Sequence, residues 1–453
     1  MGKLTLKQAA AWCGGWVDPK YEQIEFLGAN NDTRIIKPGQ LFIVLQGARD
    51  GHDYIPSAME KGAAAALCSH SVGDYPCIIV DDPRIALGRI AKAELQRIGC
   101  KVVAITGSVG KSTTKEMVAS VLESTYRTAK TPANHNNDIG MPMAILSMEE
   151  DTEVAVLEMG MNHFQEIAYL SEIARPDIGA IVNIGSMHIE YLGSIEGIRK
   201  AKLEILEGMK KNGKLVLNGD DAMLATLPEQ PEQEVVYYGT GGNHPVQACD
   251  VAENDGILSF RVKYQQEDFP VELALEGRHF VPDALTAVTV GLLMDVPAER
   301  IRKSLFAFRN MAGRQEIYSA GGYTIISDCY NAGPESMAAA LAVLGNKQGR
   351  KIAVLGDMLE LGDCAWAEHY KVGRIARENA DMVLAYGPHG PRVVSGALTG
   401  GMSSANARSF DTHEDLVQHL KRTAKPGDVL LFKGSRGMHM EKVLNGFLKE
   451  EKE

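Results

Sequence analysis

The chain has 453 residues, of which 45% are hydrophobic and 23% are charged, so whole-chain disorder is excluded and about three domains are expected. Lys and Arg number 47 while Asp and Glu number 58, a net charge of −11, which argues against broad binding of nucleic acid or acidic membranes. The apolar runs are too short to span a bilayer and the N-terminus lacks the apolar core of a signal peptide, so we expect no stable membrane insertion.

Residues 1–98 mix short strands with turns and predict a small mixed α/β domain. One strand is predicted over residues 40–46, between Pro38-Gly39 and Gly47, and another over residues 77–80. Helices are predicted over residues 55–66 and 85–98, and Gly99 ends the second of them.

From residue 99 apolar strands alternate with helices, which predicts a parallel sheet. Strands are expected over residues 102–106, 153–159, 178–184 and 215–218, with helices starting at Lys111 and covering 164–173 and 195–209. Residues 246–275 are predicted as antiparallel strands attached to that sheet. Helices over 282–293 and 298–306 close this central domain, which we place at residues 99–313.

The alternation restarts near Gly313 and predicts a second, doubly wound sheet, a Rossmann-like domain over residues 314–453. Its strands are expected over residues 323–327, 351–355, 382–386 and 428–432, and its helices over 337–344, 365–379 and 415–422. Ligands of such sheets bind at the carboxyl ends of strands, so the loops after Asp328, Gly356 and Lys433 are candidate site loops. The fold class predicted is α/β with three domains.

A glycine-rich segment lies between the first central strand and its helix, the context of a phosphate-binding loop. Gly107 and Gly110 let backbone N–H groups turn toward phosphates, Lys111 supplies a charge, and the hydroxyl of Ser112 or Thr113 can reach Mg²⁺. The usual spacing has another glycine where Ile105 stands, so this is a shortened variant; the alternative is a glycine-rich turn without a ligand. The predicted nucleotide contacts are Thr106, Gly107, Ser108, Val109, Gly110, Lys111, Ser112 and Thr113.

Three further polar features follow in the same domain. Glu158 ends an apolar strand, where a carboxylate can hold Mg²⁺. His188 follows the next strand and Lys202 lies on the helix after it. Taken alone, His188 is better interpreted as a capping or core histidine and Lys202 as an exposed helix lysine. Residues 131–140 form an amide-rich loop, for which a plain turn cluster is the alternative.

The order of the segments TGSVGKSTTK, TPANHNNDIGMP, LEMGMN, NIGSMHIEYLGS and AKLEI resembles the Mur ligases, ATP-dependent amide-forming enzymes of peptidoglycan synthesis that are related to folylpolyglutamate synthase and cyanophycin synthetase. The resemblance implies two Mg²⁺ sites, one at Ser112 and Glu158 and one at Glu158, His188 and a Lys202 carbamylated by CO₂. It also implies that Asn136 and Asn137 orient phosphate or acyl oxygens. The catalytic residues implied are Lys111, Glu158, His188, Lys202 and Asn137.

Residues 31–55 resemble the uridine-nucleotide-binding domain of the two later ligases of that family. Thr33-Arg34 stands where Ser-Arg is usual, and Arg34 would suit a pyrophosphate, although a solvated surface arginine is the alternative. The Asp50-Gly51-His52 turn would lie beside the nucleotide sugar. The substrate contacts implied here are Thr33, Arg34, Gly47, Asp50, Gly51 and His52.

The last third resembles the family member that joins D-alanyl-D-alanine to UDP-N-acetylmuramoyl-tripeptide. Residues 328–337 resemble its D-x-Y-N-A-N-P-x-S-M motif, residues 356–362 with His369 and residues 433–438 also match, and the D-N-P-R signature of the preceding ligase is absent. The resemblance implies that Arg314 and Asp328 reach ATP and that Tyr330 and Asn331 line its ribose. Lys433 and Arg436 are candidates for the dipeptide carboxylate, with a solvated turn as the alternative.

Two departures from the family pattern occur. Gly333 replaces an asparagine, and His279-Phe280-Val-Pro-Asp283 stands where His-Asn-x-x-Asn is common. In the family, the asparagines of the second pattern are associated with the adenine end of ATP. Phe280 is expected to be a packed aromatic, with stacking on adenine as the alternative.

The interpretation is therefore a monomeric ligase of the bacterial cytoplasm that uses ATP and Mg²⁺. The seven cysteines form no CxxC pair, which fits reduced thiols in that compartment. The alternatives are another Mur-type ligase, such as the tripeptide-forming enzyme or a folylpolyglutamate synthase, a P-loop kinase or nucleotide switch, and a non-catalytic paralogue.

Overall fold

The computed structural model describes residues 3–47 and 49–449. The predicted α/β class is confirmed: the larger sheets have five, nine and six strands, and each belongs to a consecutive part of the chain. The boundaries at residues 98/99 and 313/314 stay predictions. Among the described residues, no helix is long and apolar enough to cross a membrane.

The N-terminal unit is built on a five-stranded sheet of order β2-β7-β6-β5-β4, in which only the β2–β7 pair is antiparallel, and on a small β1–β3 pair. Its elements are β1 Leu4–Thr5, α1 Leu6–Cys13, β2 Trp16–Val17, β3 Glu25–Phe26, β4 Ala29–Asn30, β5 Leu41–Ile43, α2 Ile55–Glu60, β6 Ala65–Cys68, β7 Cys77–Ile79 and α3 Pro83–Ile98.

The helix predicted over residues 55–66 is wrong in its second half. Helix α2 ends at Glu60, Gly62 takes a left-handed φ of +89°, and the following apolar residues enter the sheet as β6. Ala65 and Ala66 are fully buried there, so tertiary burial overrides the helical preference of alanine.

The central unit has a nine-stranded sheet of order β16-β15-β14-β13-β12-β11-β8-β10-β9. Strands from β9 to β14 pair in parallel, and β14, β15 and β16 pair antiparallel, which confirms the prediction for residues 246–275. Its strands are β8 Lys101–Thr106, β9 Thr128–Lys130, β10 Val154–Glu158, β11 Ile178–Ile181, β12 Lys214–Asn218, β13 Glu234–Gly239, β14 Val246–Asn254, β15 Ile257–Tyr264 and β16 Glu267–Leu273. Its helices are α4 Lys111–Glu123, α5 Gly140–Leu146, α6 Glu166–Ala174, α7 Ile189–Leu192, α8 Ile195–Leu203, α9 Ile205–Gly208, α10 Phe280–Leu293 and α11 Ala298–Ala307.

The single helix predicted over residues 195–209 is instead two helices, α8 and α9, that meet at Glu204. The Glu204 carboxylate is buried and accepts hydrogen bonds from the backbone N–H groups of Gln165 (2.9 Å) and Ala168 (3.4 Å). This junction therefore ties the end of the helix that carries Lys202 to the start of α6.

The C-terminal unit has a six-stranded sheet of order β17-β18-β22-β19-β20-β21, parallel except for β17. Its elements are β17 Glu316–Ala320, β18 Tyr323–Asp328, α12 Pro334–Gly345, β19 Lys351–Gly356, α13 Ala365–Asn379, β20 Met382–Tyr386, α14 Gly390–Thr399, β21 Ala407–Phe410, α15 His413–Thr423, β22 Val429–Lys433 and α16 Met440–Leu448. Ala353 and Leu355 of β19 join one apolar cluster, and Ile352 and Val354 join the other. The sheet is thus covered on both faces, as its doubly wound pattern predicts.

Candidate active site

The glycine-rich loop between β8 and α4 is held by one asparagine side chain. Asn183 follows β11, next to β8, and its Oδ1 accepts hydrogen bonds from the N–H groups of Ser108 (3.0 Å) and Val109 (2.9 Å), while its Nδ2 donates to the Val109 carbonyl (2.8 Å). Gly110 takes a left-handed φ of +83°, a conformation suited to glycine. The Lys111 ammonium donates to the carbonyls of Gly107 (2.7 Å) and Ser108 (3.2 Å).

Glu158 ends β10 beside this loop and is only 2% exposed. Its Oε1 accepts a hydrogen bond from Asn136 Nδ2 (2.8 Å), whereas its buried Oε2 accepts none from the described residues. The Ser112 hydroxyl accepts a hydrogen bond from the Arg314 guanidinium at 2.9 Å. A buried carboxylate oxygen without a donor, next to a phosphate loop, fits a hard cation such as Mg²⁺.

Metal ligation would nevertheless need oxygens from a substrate. Within residues 3–47 and 49–449, no group of three or more His, Cys, Asp or Glu side chains could hold a metal ion. Mg²⁺ is commonly bound by one or two carboxylates together with substrate phosphates, so this donor set fits a metal that arrives with a nucleotide.

Lys115, one turn after Lys111, is a buried cation that sequence reasoning missed. Its ammonium donates to the carbonyls of Thr131 (2.8 Å) and Ala133 (3.3 Å) in the amide-rich loop. It also lies 3.0 Å from Glu116 Oε1 and 3.8 Å from Glu158 Oε2. Lys115 therefore joins the amide-rich loop to the carboxylate, and only its place on the inner face of α4 could have indicated this role.

His188 lines the cavity beside the phosphate loop, whereas Lys202 is not a lining residue but lies close enough to Lys111 for the two charges to interact. His188 Nδ1 is 2.6 Å from Glu360 Oε2, which the C-terminal unit supplies. Lys202 is 1% exposed, so the alternative of an exposed helix lysine is wrong. Burial first, and then the nearby charge of Lys111, lowers the pKa of Lys202 well below its usual value, and among the described residues its ammonium has no hydrogen bond or ion pair.

The C-terminal unit faces the phosphate loop across a cavity of about 630 Å³. The Arg314 guanidinium lies 4.0 Å from the centre of the Tyr330 ring, and Lys433 donates to Asp328 Oδ2 (2.6 Å) and to the Asn331 carbonyl (3.0 Å). The predicted residues that line this cavity are Ser108, Val109, Gly110, Lys111, Ser112, Thr113, Asn136, Asn137, Glu158, His188, Arg314, Asp328, Tyr330, Asn331 and Lys433.

The two candidates for a dipeptide carboxylate differ. Lys433 is 1% exposed and lines the cavity, so a solvated turn does not describe it, although Asp328 already neutralises its charge. The Arg436 side chain is 65% exposed and 3.8 Å from Glu441, and it is not a lining residue. Lys433 therefore lies in the cavity wall, whereas Arg436 lies outside it, with its guanidinium 5.9 Å from the centre of the Tyr330 ring.

The departures at the start of α10, Phe280 and Asp283, also line this cavity. Phe280 is 4% exposed and packs in the core with its ring 4.2 Å from that of His279. Asp283 accepts a hydrogen bond from the Thr114 hydroxyl (2.9 Å), and a Cβ on Gly110 would lie 2.5 Å from Asp283 Oδ1. Burial raises the pKa of Asp283 to about 8, so this side chain is a neutral acid at pH 7 and resembles the amide that is common at this position.

Asn137 has a structural contact as well as a place in the cavity, because its Oδ1 accepts the N–H of Gly140 (2.8 Å) at the start of α5. The residues predicted from the N-terminal unit lie elsewhere. Arg34 is exposed and paired with Asp32, and His52 is buried with its Nδ1 2.6 Å from Asp50. Among the described residues, no hydrogen bond or ion pair joins Thr33 or Arg34 to the Asp50-Gly51-His52 turn, and the roles of these residues and of Gly47 stay predictions.

Two family models match this chain, one over the central unit and one over the C-terminal unit. The family described as Mur ligase middle domain matches residues 105–291, and the one described as Mur ligase, glutamate ligase domain, matches residues 313–436. The UDP-N-acetylmuramoyl-tripeptide--D-alanyl-D-alanine ligase of Bacillus subtilis (strain 168) is 39% identical over 458 aligned positions, which cover 99% of each chain. The crystal structure of MurF from Acinetobacter baumannii has a TM-score of 0.91 at 31% identity and covers 99% of this chain and 100% of that one. MurF from Thermotoga maritima in complex with ADP has a TM-score of 0.83 at 28% identity, with 94% and 97% covered.

Asp283→Asn should change how stability depends on pH. Because the folded protein keeps a proton on Asp283 up to about pH 8 and the unfolded chain loses it near pH 4, the wild type loses stability as pH rises between these values, by up to ~1.4 kcal/mol per pH unit. The variant lacks this loss, so its advantage in the free energy of unfolding should grow from pH 4 to pH 8 and then level off. Denaturant unfolding across that range checks it, with the exposed Asp411→Asn as control; parallel pH profiles would contradict it.

Lys115→Met should loosen the amide-rich loop and weaken binding of Mg²⁺-ATP by roughly tenfold, because two carbonyls lose their donor and Glu158 loses a nearby cation. Hydrogen exchange of residues 131–137 and calorimetric titration with Mg²⁺-ATP measure the two effects. Lys303→Met, at a side chain that is 76% exposed, is the control. Unchanged exchange in the loop would show that Lys115 does not hold it.

Proposed function

The chain belongs to the Mur ligase family, and on that premise we propose that it joins D-alanyl-D-alanine to UDP-N-acetylmuramoyl-tripeptide with ATP as the energy source. The products are the UDP-N-acetylmuramoyl-pentapeptide precursor of peptidoglycan, ADP and phosphate. Two relatives named UDP-N-acetylmuramoyl-tripeptide--D-alanyl-D-alanine ligase align over nearly the whole chain. This similarity favours the proposed function over a tripeptide-forming or folylpolyglutamate-forming one. The observation that carries the proposal is that the phosphate loop, Glu158 and the residues of the C-terminal motif line one cavity.

The chemistry explains why such a cavity is needed. A carboxylate is a poor electrophile, so an oxygen of the tripeptide's terminal carboxylate attacks the γ-phosphorus of ATP, and an acyl phosphate and ADP result. The neutral amine of D-alanyl-D-alanine then attacks the acyl carbon, phosphate leaves and the amine loses a proton. Both partners of the first step are anions, so catalysis consists mainly of charge neutralisation and alignment.

Residues of the central and C-terminal units neutralise the charges and align the reacting groups. Lys111 and the N–H groups of residues 107–113 hold the β- and γ-phosphates, and Arg314 brings a second cation from the other side of the cavity. Asn136 and Asn137 orient acyl or phosphate oxygens, while Asp328, Tyr330 and Asn331 contact the nucleotide. Lys433, which lines the cavity, is the candidate for binding the carboxylate of the dipeptide.

The donor set supports the use of Mg²⁺. Ser112 and Glu158 would hold one ion, and Glu158, His188 and a carbamylated Lys202 would hold a second. When bound, Mg²⁺ neutralises charge on the phosphate and acyl oxygens. Carbamylation, in which the lysine amine forms a bond to CO₂ and loses a proton, is supported by the burial of Lys202 and by its lack of an ion-pair partner among the described residues.

The path of the peptide substrate is proposed from a second cavity of about 730 Å³ between the N-terminal and central units. Lys37 lines one side, and Arg127 and Lys130 line the other. Pro132 and His135 of the amide-rich loop also face this cavity, whereas Asn136 of the same loop faces the first one. With the uridine diphosphate held by residues 1–98, the sugar and peptide would pass this loop to reach Lys111. We propose that the enzyme works in the bacterial cytoplasm.

Phosphate release should require ATP, Mg²⁺, the UDP-tripeptide and D-alanyl-D-alanine together, because the acyl phosphate needs an amine to complete turnover. A coupled phosphate assay with a panel of acceptors checks this, with glycine, lysine and glutamate as control amines. Equal release with lysine or glutamate, or release that does not depend on the UDP-tripeptide, would favour another ligase or a nucleotide hydrolase.

Lys202→Ala should be nearly inactive and should recover part of its activity when small carboxylates such as acetate or formate are added, because these replace the lost carbamate oxygens. Lys200→Ala, at an exposed lysine of the same helix, should remain active and unaffected by acetate. Intact-mass measurement in bicarbonate buffer, with rapid trapping of the carbamate, reads the modification itself. Full activity of Lys202→Ala would contradict the carbamate.

A further inference from the structure

The glycine at position 333, where the family pattern has an asparagine, is matched by a methionine from the central unit. Gly333 has φ −143° and ψ 168°, an extended conformation open to any residue, so the backbone does not require glycine there. The surrounding space requires glycine at this position, because a Cβ on Gly333 would lie 2.3 Å from Met187 Sδ and 3.1 Å from Met187 Cγ. Met187 is itself buried, at 6% exposure, so a larger side chain at position 333 must displace it.

Two residues further on, Glu335 makes a polar contact to the same loop. It lies in the first turn of α12, and its Oε1 accepts hydrogen bonds from the backbone N–H (2.9 Å) and the hydroxyl (3.0 Å) of Ser186. Its Oε2 lies 3.2 Å from the same hydroxyl. Within the described parts of the chain Glu335 has no cationic partner, so Ser186 is what this carboxylate binds.

The loop over residues 183–188 leads from this contact to the phosphate loop. Gly185 donates its N–H to the Ser108 hydroxyl (2.8 Å), which in turn donates to the Gly185 carbonyl (3.1 Å). Asn183 holds the N–H groups of Ser108 and Val109, and the loop ends at His188. A shift of Ser186 would therefore change the positions of both the phosphate loop and His188.

We propose that Glu335 is a positioning residue that fixes the 183–188 loop from the C-terminal unit. Its contact with Ser186, together with the close packing of Gly333 against Met187, forms what we call the seam between the two units. The inference rests on the proposed function. Through this seam, closure of the central and C-terminal units would set the positions of the phosphate loop and His188. The seam includes Gly333, the position at which the family pattern has an asparagine.

The first test compares Glu335→Ala with the conservative Glu335→Gln and with Glu378→Ala, an exposed glutamate of α13, as control. Glu335 is exposed, so water replaces part of the lost acceptor; Glu335→Ala should therefore lower kcat by about threefold with a smaller effect on the KM for ATP. Glu335→Gln should retain part of the rate because one oxygen remains. Thermal unfolding of both variants should match that of the control. A rate for Glu335→Ala equal to that of the control would overturn the proposal.

The second test restores the family residue. Gly333→Asn should keep the protein more open in small-angle X-ray scattering with ADP and the UDP-tripeptide, and it should lower kcat, since Met187 occupies the space. Combining it with Met187→Ala should return both the scattering profile and the rate toward wild type, measured as a double-mutant cycle. Additive effects, or a Gly333→Asn that closes normally, would overturn the seam. Failure of the proposed function would appear instead in the wild type, as no phosphate release with both substrates, while scattering would still report on closure.

Discussion

Repulsion between like charges is the constraint on which this site depends, because a triphosphate and a carboxylate must meet in one cavity. The central unit supplies Lys111, and the C-terminal unit supplies Arg314, which already contacts the Ser112 hydroxyl. Neither unit contains both cations, so the two reach one cavity only when the carboxyl ends of the two sheets face each other. A site that is assembled from two units only when the substrates are bound would also exclude water from the reactive acyl phosphate.

The parts of this arrangement that depend on local pattern could be predicted from the sequence. A glycine-rich turn between a buried strand and a helix predicts the phosphate loop, and a carboxylate at the end of the adjacent strand predicts Glu158, because parallel strands bring their carboxyl ends to one edge. The strands and helices of the two larger units follow the same alternation, and most were predicted to within a few residues. The resemblance to a family then indicated His188 and Lys202, which local pattern alone left open.

What could not be predicted depends on contacts between residues distant in the chain. Lys115 is an ordinary helix lysine by pattern, yet it is fully buried against the loop at Thr131 and near Glu158. Asn183 is one polar residue among several after β11, and only the pairing of β11 with β8 brings it to the phosphate loop. The turn of residues 55–66 into a strand likewise depends on burial in a sheet, which a short alanine-rich segment does not reveal.

The departures from the family pattern show how a site can change residues while keeping its chemistry. An aspartate in place of an asparagine near a nucleotide would add repulsive charge, but Asp283 lies deep beside Gly110 and Thr114, and burial keeps its proton on at pH 7. A neutral acid has a donor and an acceptor, as an amide does, so the hydrogen-bonding character of the position survives. Gly333 is different in kind, because glycine offers no polar group at all. The polar contact to the 183–188 loop at this helix start is made by Glu335, two residues along the chain, while Gly333 packs against Met187 of the same loop.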